Sequence, residues 1–149
     1  MNDHLRLEIE TDPDGTVQLF ATVHAGPFSG HSSAWFSTDE LVNLGRALAD
    51  TFPLTSALAI SGGYWSDTSP GKLEEEHVGI SFYPIGNVGE VGCHVRLTSL
   101  LRSSDRPQSK RATQVELMVT YAELQRFGPA LAQLAVAQVT EAVLEACKA

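Results

Sequence analysis

Hydrophobic and polar residues alternate at the start of the chain. Leu5, Leu7 and Ile9 are separated by Arg6, Glu8 and Glu10, the period of two that a strand with one buried face requires. Pro13-Asp14-Gly15 supplies the residues of a tight reversal, and Val17, Leu19, Ala21 and Val23 resume the alternation. This predicts a β-hairpin. The stretch around Ala25-Gly26-Pro27-Phe28-Ser29 and on to Trp35 reads as a loop, because Pro27 breaks the pattern. The period then changes. Leu41, Leu44, Leu48 and Phe52 recur at helical spacing, one apolar stripe. Ser37 and Glu40 stand at capping-box spacing, Phe36 and Leu41 can close a hydrophobic staple, and Pro53 stops the helix.

Further strands are predicted around Leu58 and Ile60, running into Gly62-Gly63-Tyr64-Trp65, then around Val78, Ile80 and Phe82, Cys93, Val95 and Leu97, and Val115, Leu117 and Val119. Residues 66–76 read as a polar loop ending in the solvated run Glu74-Glu75-Glu76. A second helix starts like the first: Val119-Thr120-Tyr121-Ala122-Glu123-Leu124 matches Phe36-Ser37-Thr38-Asp39-Glu40-Leu41 position by position. Such a match arises from internal duplication or from convergence on a common cap, and capping boxes recur by convergence. Gly128-Pro129 reads as an early interruption, with Pro129 in the first turn of a restarted helix. Ala132, Val136, Val139, Val143 and Cys147 then form its stripe. The order β-β-α-β-β-β-β-α predicts an α+β fold: one antiparallel sheet of about six strands with two helices on its apolar face. No linker divides the chain, so residues 1–149 are expected to form a single domain.

Composition narrows the function classes. With 43% hydrophobic and 19% charged residues the chain is globular and not disordered. No apolar run approaches the ~18 residues of a membrane span. Met1-Asn2-Asp3-His4-Leu5-Arg6 lacks the layout of a signal peptide, so a cytoplasmic location is expected. Cys93 and Cys147 are then expected as two buried thiols without a disulfide. Five cations between Arg96 and Arg111 face only Asp105, a local balance of +4; with a net charge of −8, the rest of the chain carries −12. An acidic body argues against nucleic acid and anionic membranes as partners. The basic stretch, Arg102 to Arg111 above all, reads as a solvated hairpin tip.

Four arrangements of residues bear on chemistry. Gly30-His31-Ser32-Ser33-Ala34 is a relaxed G-x-S-x-G, but a nucleophile elbow needs a strand directly before it and a helix directly after. Pro27 and the late helix start at Ser37 deny both, so no catalytic residue is assigned. His24, His77 and His94 fall opposite the apolar residues of their strands and could share a sheet face. No H-x-H, H-E-x-x-H or C-x-x-C spacing supports a metal, and neither a metal nor a cofactor is expected. Gly86-x-x-Gly89-x-x-Gly92 lacks the Lys-Ser/Thr of a phosphate loop. The remaining candidate is the polar sheet face itself, with aromatic residues near it. Its interaction or pocket residues are His24, Trp35, Trp65 and His77, together with Tyr83, His94, Arg96 and Met118. Such a mixed face suits a protein partner or a second copy in a homodimer. A pocket between sheet and aromatic loops, serving a small molecule or an enzyme, is the alternative.

Phe28-Ser29-Gly30 with Trp35-Phe36, Gly62-Gly63-Tyr64-Trp65 and Tyr121-x-x-Leu124-x-x-Phe127, taken together, resemble small uncharacterised bacterial α+β proteins. Some proteins of that general shape are immunity proteins that bind and block a toxin. The resemblance spans most of the length and implies a binding role through an acidic surface. Its motifs are structural, so it implies no catalytic residue.

Overall fold

A computed structural model describes residues 2–102 and 104–147 of the chain. Among them the elements run β1 (His4–Thr11), β2 (Thr16–Ala25), β3 (Phe28–Ser37), α1 (Thr38–Asp50), β4 (Leu58–Trp65), β5 (Leu73–Ile85), β6 (Glu90–Thr98), β7 (Ala112–Thr120), α2 (Tyr121–Ala135) and β8 (Ala142–Glu145). The fold is α+β and its sheets are antiparallel. The strands form two four-stranded sheets, ordered β3-β2-β1-β8 and β4-β5-β6-β7, where a single sheet of about six was expected. The apolar faces of both sheets and the inner sides of both helices meet in one continuous core.

Two segments account for most of the difference. The stretch expected as a loop up to Trp35 is instead mostly strand: Phe28–Ser37 forms the edge of the first sheet. Pro27 does not interrupt that strand, because it sits in the tight turn before it, next to Gly26 at φ 60°. Ala34 and Phe36 point into the core and Trp35 points out. The alternation was hard to see because Gly30 and Ser32 occupy inward positions where an apolar side chain would have announced a strand.

The second difference lies at the chain's other end. The predicted helix continues through Gly128-Pro129 without restarting, then stops at Ala135, well short of Cys147. Its end is a Schellman closure: the Ala137 amide donates to the Leu134 carbonyl and the Gln138 amide to the Gln133 carbonyl, both at 2.9 Å. Ala137 takes the left-handed position at φ 60° that glycine usually fills. With alanine there, the stop left no trace in the sequence. Val143 and Cys147 accordingly lie in and after β8, and Cys147 is exposed, not buried.

The two helix starts belong to a larger correspondence. β1-β2-β3-α1-β4 and β5-β6-β7-α2-β8 repeat one topology, with the last strand of each set exchanged into the other's sheet. The registers agree. Leu7 lies opposite Ala21 and Ala142, as Ile80 lies opposite Val95 and Ile60. Ser37 caps α1 by accepting from the Glu40 amide, and Thr120 caps α2 by accepting from the Glu123 amide. Glu40 completes its capping box, whereas Glu123 accepts from Arg126 and from the Glu145 amide, tying α2 to β8. Burial raises the Glu123 pKa, but the Arg126 and Glu145 bonds outweigh it and the carboxyl sits below its usual range.

Gly45 of α1 and Gly128 of α2 are equivalent in this correspondence, and they face each other. A Cβ on Gly45 would lie 2.5 Å from the Gly128 carbonyl oxygen, and one on Gly128 would be equally close to that of Gly45. The helices therefore touch backbone to backbone. In an ordinary helix Gly→Ala stabilises by about 0.5–1 kcal/mol. Here Gly45→Ala and Gly128→Ala should each destabilise by about 1–3 kcal/mol through overpacking, measured by urea unfolding. Ala137→Gly should act the opposite way, raising stability by about 1 kcal/mol as the left-handed strain is relieved. A lower midpoint for Ala137→Gly would contradict the closure described.

Candidate functional site

β3, an edge strand of the first sheet, lies across the second sheet, meeting its edge strand β4 near Gly62 and the ends of β6 and β7 further along, and this crossing is a seam between the sheets. The Phe36 ring packs on Gly62, where a Cβ would lie 2.7 Å from the ring Cζ. Side chains stitch the seam further along: the Ser32 hydroxyl donates to the Thr98 carbonyl at 2.6 Å, and the Thr113 hydroxyl to the Ser29 carbonyl at 2.9 Å. A cleft of about 430 Å3 opens beside it. Trp35 and Tyr64, each 48% exposed, supply aromatic surface to its lining. Ser32, Ser33, Ser99, Gln18, His31 and His77 supply polar groups.

His77 reaches the cleft through a local irregularity. Gly62 pairs with Val78 and Gly63 with Glu76, so His77 has no partner across the strand and forms a bulge. Gly63 permits it: a Cβ there would lie 2.8 Å from the His77 amide nitrogen. Strand parity carried back from Val78 had placed His77 on the polar outer face. The bulge reverses that parity, turning His77 into the cleft, 7% exposed, and Glu76 outward. Glu74-Glu75-Glu76 is therefore part of β5 and not a solvated loop end. His77 Nε2 bonds to Glu75 Oε1 at 3.0 Å, and Glu75 also accepts from the Leu101 amide. The His77 bond, chiefly, holds the Glu75 carboxyl below its usual range. An ionised carboxylate only accepts, so Nε2 carries the proton of that bond, and in the neutral form of the ring the lone pair is on Nδ1. Among the described residues nothing bonds Nδ1.

Ser32, for all its G-x-S-x-G setting, lies in mid-strand with its proton donated to a carbonyl. That is not the strand-to-helix turn of a nucleophile elbow.

The outer face of the second sheet carries a separate constellation. Arg96 donates from Nε to Glu76 Oε1 at 2.8 Å and from a terminal nitrogen to His94 Nδ1 at 2.9 Å. The Ser61 hydroxyl donates to Glu76, and the Tyr83 hydroxyl to Glu116. Because Arg96 only donates, His94 Nδ1 accepts, and its Nε2–H is the free donor. The Arg96 bond is the main reason the Glu76 carboxyl sits low. Burial and then Glu116 push the Tyr83 phenol up to about 12, so it stays a donor at neutral pH. Met118, 37% exposed, lies on the same face, opposite Gly92. Arg96 thus belongs to an ordered pair, not to a basic tip. The other cations of its stretch lie in the exposed β6–β7 connection.

The eight sequence candidates are therefore divided. Tyr83, His94, Arg96 and Met118 share the outer face of the second sheet. Trp35 and His77 line the cleft, with Trp65 one residue beyond its Tyr64 wall. His24 belongs to the first sheet, where it stacks on His4 at 5.1 Å. Among the described residues no three His, Cys, Asp or Glu side chains are placed to hold a metal, and no helix is long and apolar enough to cross a membrane. Sequence reasoning missed Glu75 and Glu76 as partners; the available signal was the continuation of strand character back to Leu73.

Glu76 supplies a pH test. Its folded pKa is depressed, so its stabilisation is present above the ordinary glutamate value of 4.5 and is lost as pH falls through the lower folded value. Glu76→Gln should lower the melting temperature at pH 7 and flatten its fall between roughly pH 5 and 3. An unchanged acid limb would count against the Arg96–Glu76 pair. The chain matches no protein-family model, no curated protein and no solved structure.

Proposed function

We propose that this protein is a non-enzymatic binding module that recognises a protein partner through the polar outer face of its second sheet, with its acidic surface steering the encounter. One observation carries the reading: Tyr83, His94 and Arg96 are already fixed by side-chain hydrogen bonds, with Met118 exposed beside them. Tyr, Arg and Met are the residue types enriched at protein interfaces. Preorganisation lowers the entropy cost of docking. The surface is also flat by construction. Gly79 lies beneath the Arg96–Glu76 pair and Gly92 beneath the Tyr83 ring, where a Cβ would come within 2.5 Å of each neighbour. A flat, hydrogen-bonded face suits a protein surface better than a small molecule.

Net charge favours a basic partner. That fits the immunity-type role that the sequence resemblance implies, carried out in the cytoplasm against a cationic toxin. Self-association through the same face, giving a homodimer, is the other form this reading takes.

The test is capture of a partner from the native host by the wild-type chain and by Tyr83→Ala and Arg96→Ala. One stoichiometric basic protein, retained by the wild type and released at least about tenfold more readily by both variants, is the expected result. A dimer in light scattering that both variants dissociate would identify the homodimeric form. Recovery of a partner that both variants hold as tightly as the wild type would overturn the assignment of this face.

The cleft supports a second reading, a small-molecule site between sheet and aromatic residues. Its volume and its paired aromatic and polar lining favour it.

A further inference from the structure

The two halves of the fold differ at one place that their shared topology makes comparable. Past the end of β8 the chain is joined to β7 backbone to backbone: the Cys147 amide donates to the Met118 carbonyl at 2.7 Å. In the other half Trp35 stands where Met118 does, by the same interval that relates Ser37 to Thr120. Gly62 stands where Leu144 does, since they pair with Val78 and Leu5 at equivalent registers. The strand after Gly62 should then close onto Trp35. Among the described residues no backbone bond joins β3 to β4, and the register of β4 on β5 shifts there, at Gly62/Gly63 and Tyr64/Trp65. The cleft of about 430 Å3 lies where the other half is sealed.

We propose that this opened seam is a binding site for a neutral saccharide of one or two pyranose rings. The proposal deepens the small-molecule reading of the cleft and is independent of the outer-face reading. Among the described residues no Lys, Arg, Asp or Glu lines the cleft, which favours a ligand without net charge. The volume falls within the roughly 300–1,000 Å3 of small-ligand clefts. Trp35 and Tyr64 offer half-exposed ring faces, apolar bodies against which the C–H side of a sugar ring can lie.

The polar groups are matched to hydroxyls. Ser32 has spent its proton on the Thr98 carbonyl, leaving its oxygen as an acceptor. In the neutral form of its ring His77 offers Nδ1 as a second acceptor, oriented by the Glu75 bond on the ring's other side. Ser33 accepts from Gln18 and keeps its own proton to donate. Acceptors and a donor held beside aromatic surface are what a ring bearing several hydroxyls requires. Each sugar hydroxyl can give and take a bond, so the mixed set is satisfied without a net charge.

The test is a nitrogen-15 NMR titration of the full chain with glucose, galactose, mannose, N-acetylglucosamine, maltose and cellobiose, each up to about 20 mM, the weak end of the affinity scale. At least one sugar should shift the amides of residues 31–35, 63–64 and 77 saturably. Trp35→Ala should weaken that binding at least about tenfold while leaving the melting temperature unchanged, as suits a half-exposed side chain. His77→Gln, which keeps a hydrogen-bonding group but loses the aligned acceptor, should weaken it less. Silence of all six sugars at these amides would overturn the proposal. So would saturable binding by adenosine or by a neutral peptide with the sugars silent, or sugar binding that Trp35→Ala leaves at wild-type strength.

Discussion

The contact between Gly45 and Gly128 sets the geometry of everything else. α1 carries the chain from the first sheet to β4 in the second, and α2 carries it from the second sheet to β8 in the first. The helices are thus the two crossovers of the fold, and they cross where neither has a side chain. Helix axes normally stay 8–10 Å apart because side chains fill the space between them. Removing that layer at one point draws the crossovers together and lets both sheets share a single core. A bulkier residue there would act on the seam as well as on the helices, since α1 also contacts β3 and β4.

A second set of missing side chains shapes the surfaces. Gly62 admits the Phe36 ring, Gly63 admits the His77 bulge, and Gly79 and Gly92 give the outer network a flat bed. None of these positions has the left-handed backbone that forces glycine at a turn; that group is Gly15, Gly26, Gly71, Gly86 and Gly89. The first set is there for space. Both candidate surfaces therefore rest on close approach, one around a bulge and one over a sheet. They lie on different parts of the molecule and make different chemical demands: the cleft presents hydroxyls, amide and imidazoles beside aromatic rings, while the outer face presents an ion pair and a phenol bonded to a carboxylate.

Local pattern made the α+β class, the first hairpin and both helix starts legible. Leu5 to Ile9 and Val17 to Val23 alternate on either side of a turn, and Ser37 with Glu40 form the capping box their spacing suggests. What failed were features that depend on distant chain. β3 was hidden because its inward positions near the seam are Gly30 and Ser32, chosen to meet Thr113 and Thr98. The end of α2 was hidden because Ala137 does what glycine usually does. The His77 bulge could not be foreseen, because a single extra residue reverses strand parity and only the partner strand reveals it. Half of the candidate surface, Tyr83 with His94, Arg96 and Met118, was readable from parity alone. The carboxylates that fix it were not, since an ion pair across strands depends on register.

The exchange of last strands also dictates an order of events during synthesis. β1 is flanked by β2 on one side and β8 on the other, so one edge of the first sheet finds its partner only when residues 142–145 have been made. The second sheet has no such delay, because β4 to β7 follow one another along the chain and pair with their neighbours. During elongation the first sheet is thus left with an open, Leu-bearing edge while its neighbour completes itself, the kind of transient edge to which other chains can add. Non-local pairing of this kind is also slow. The part of the molecule made first is the part that must wait longest to be finished.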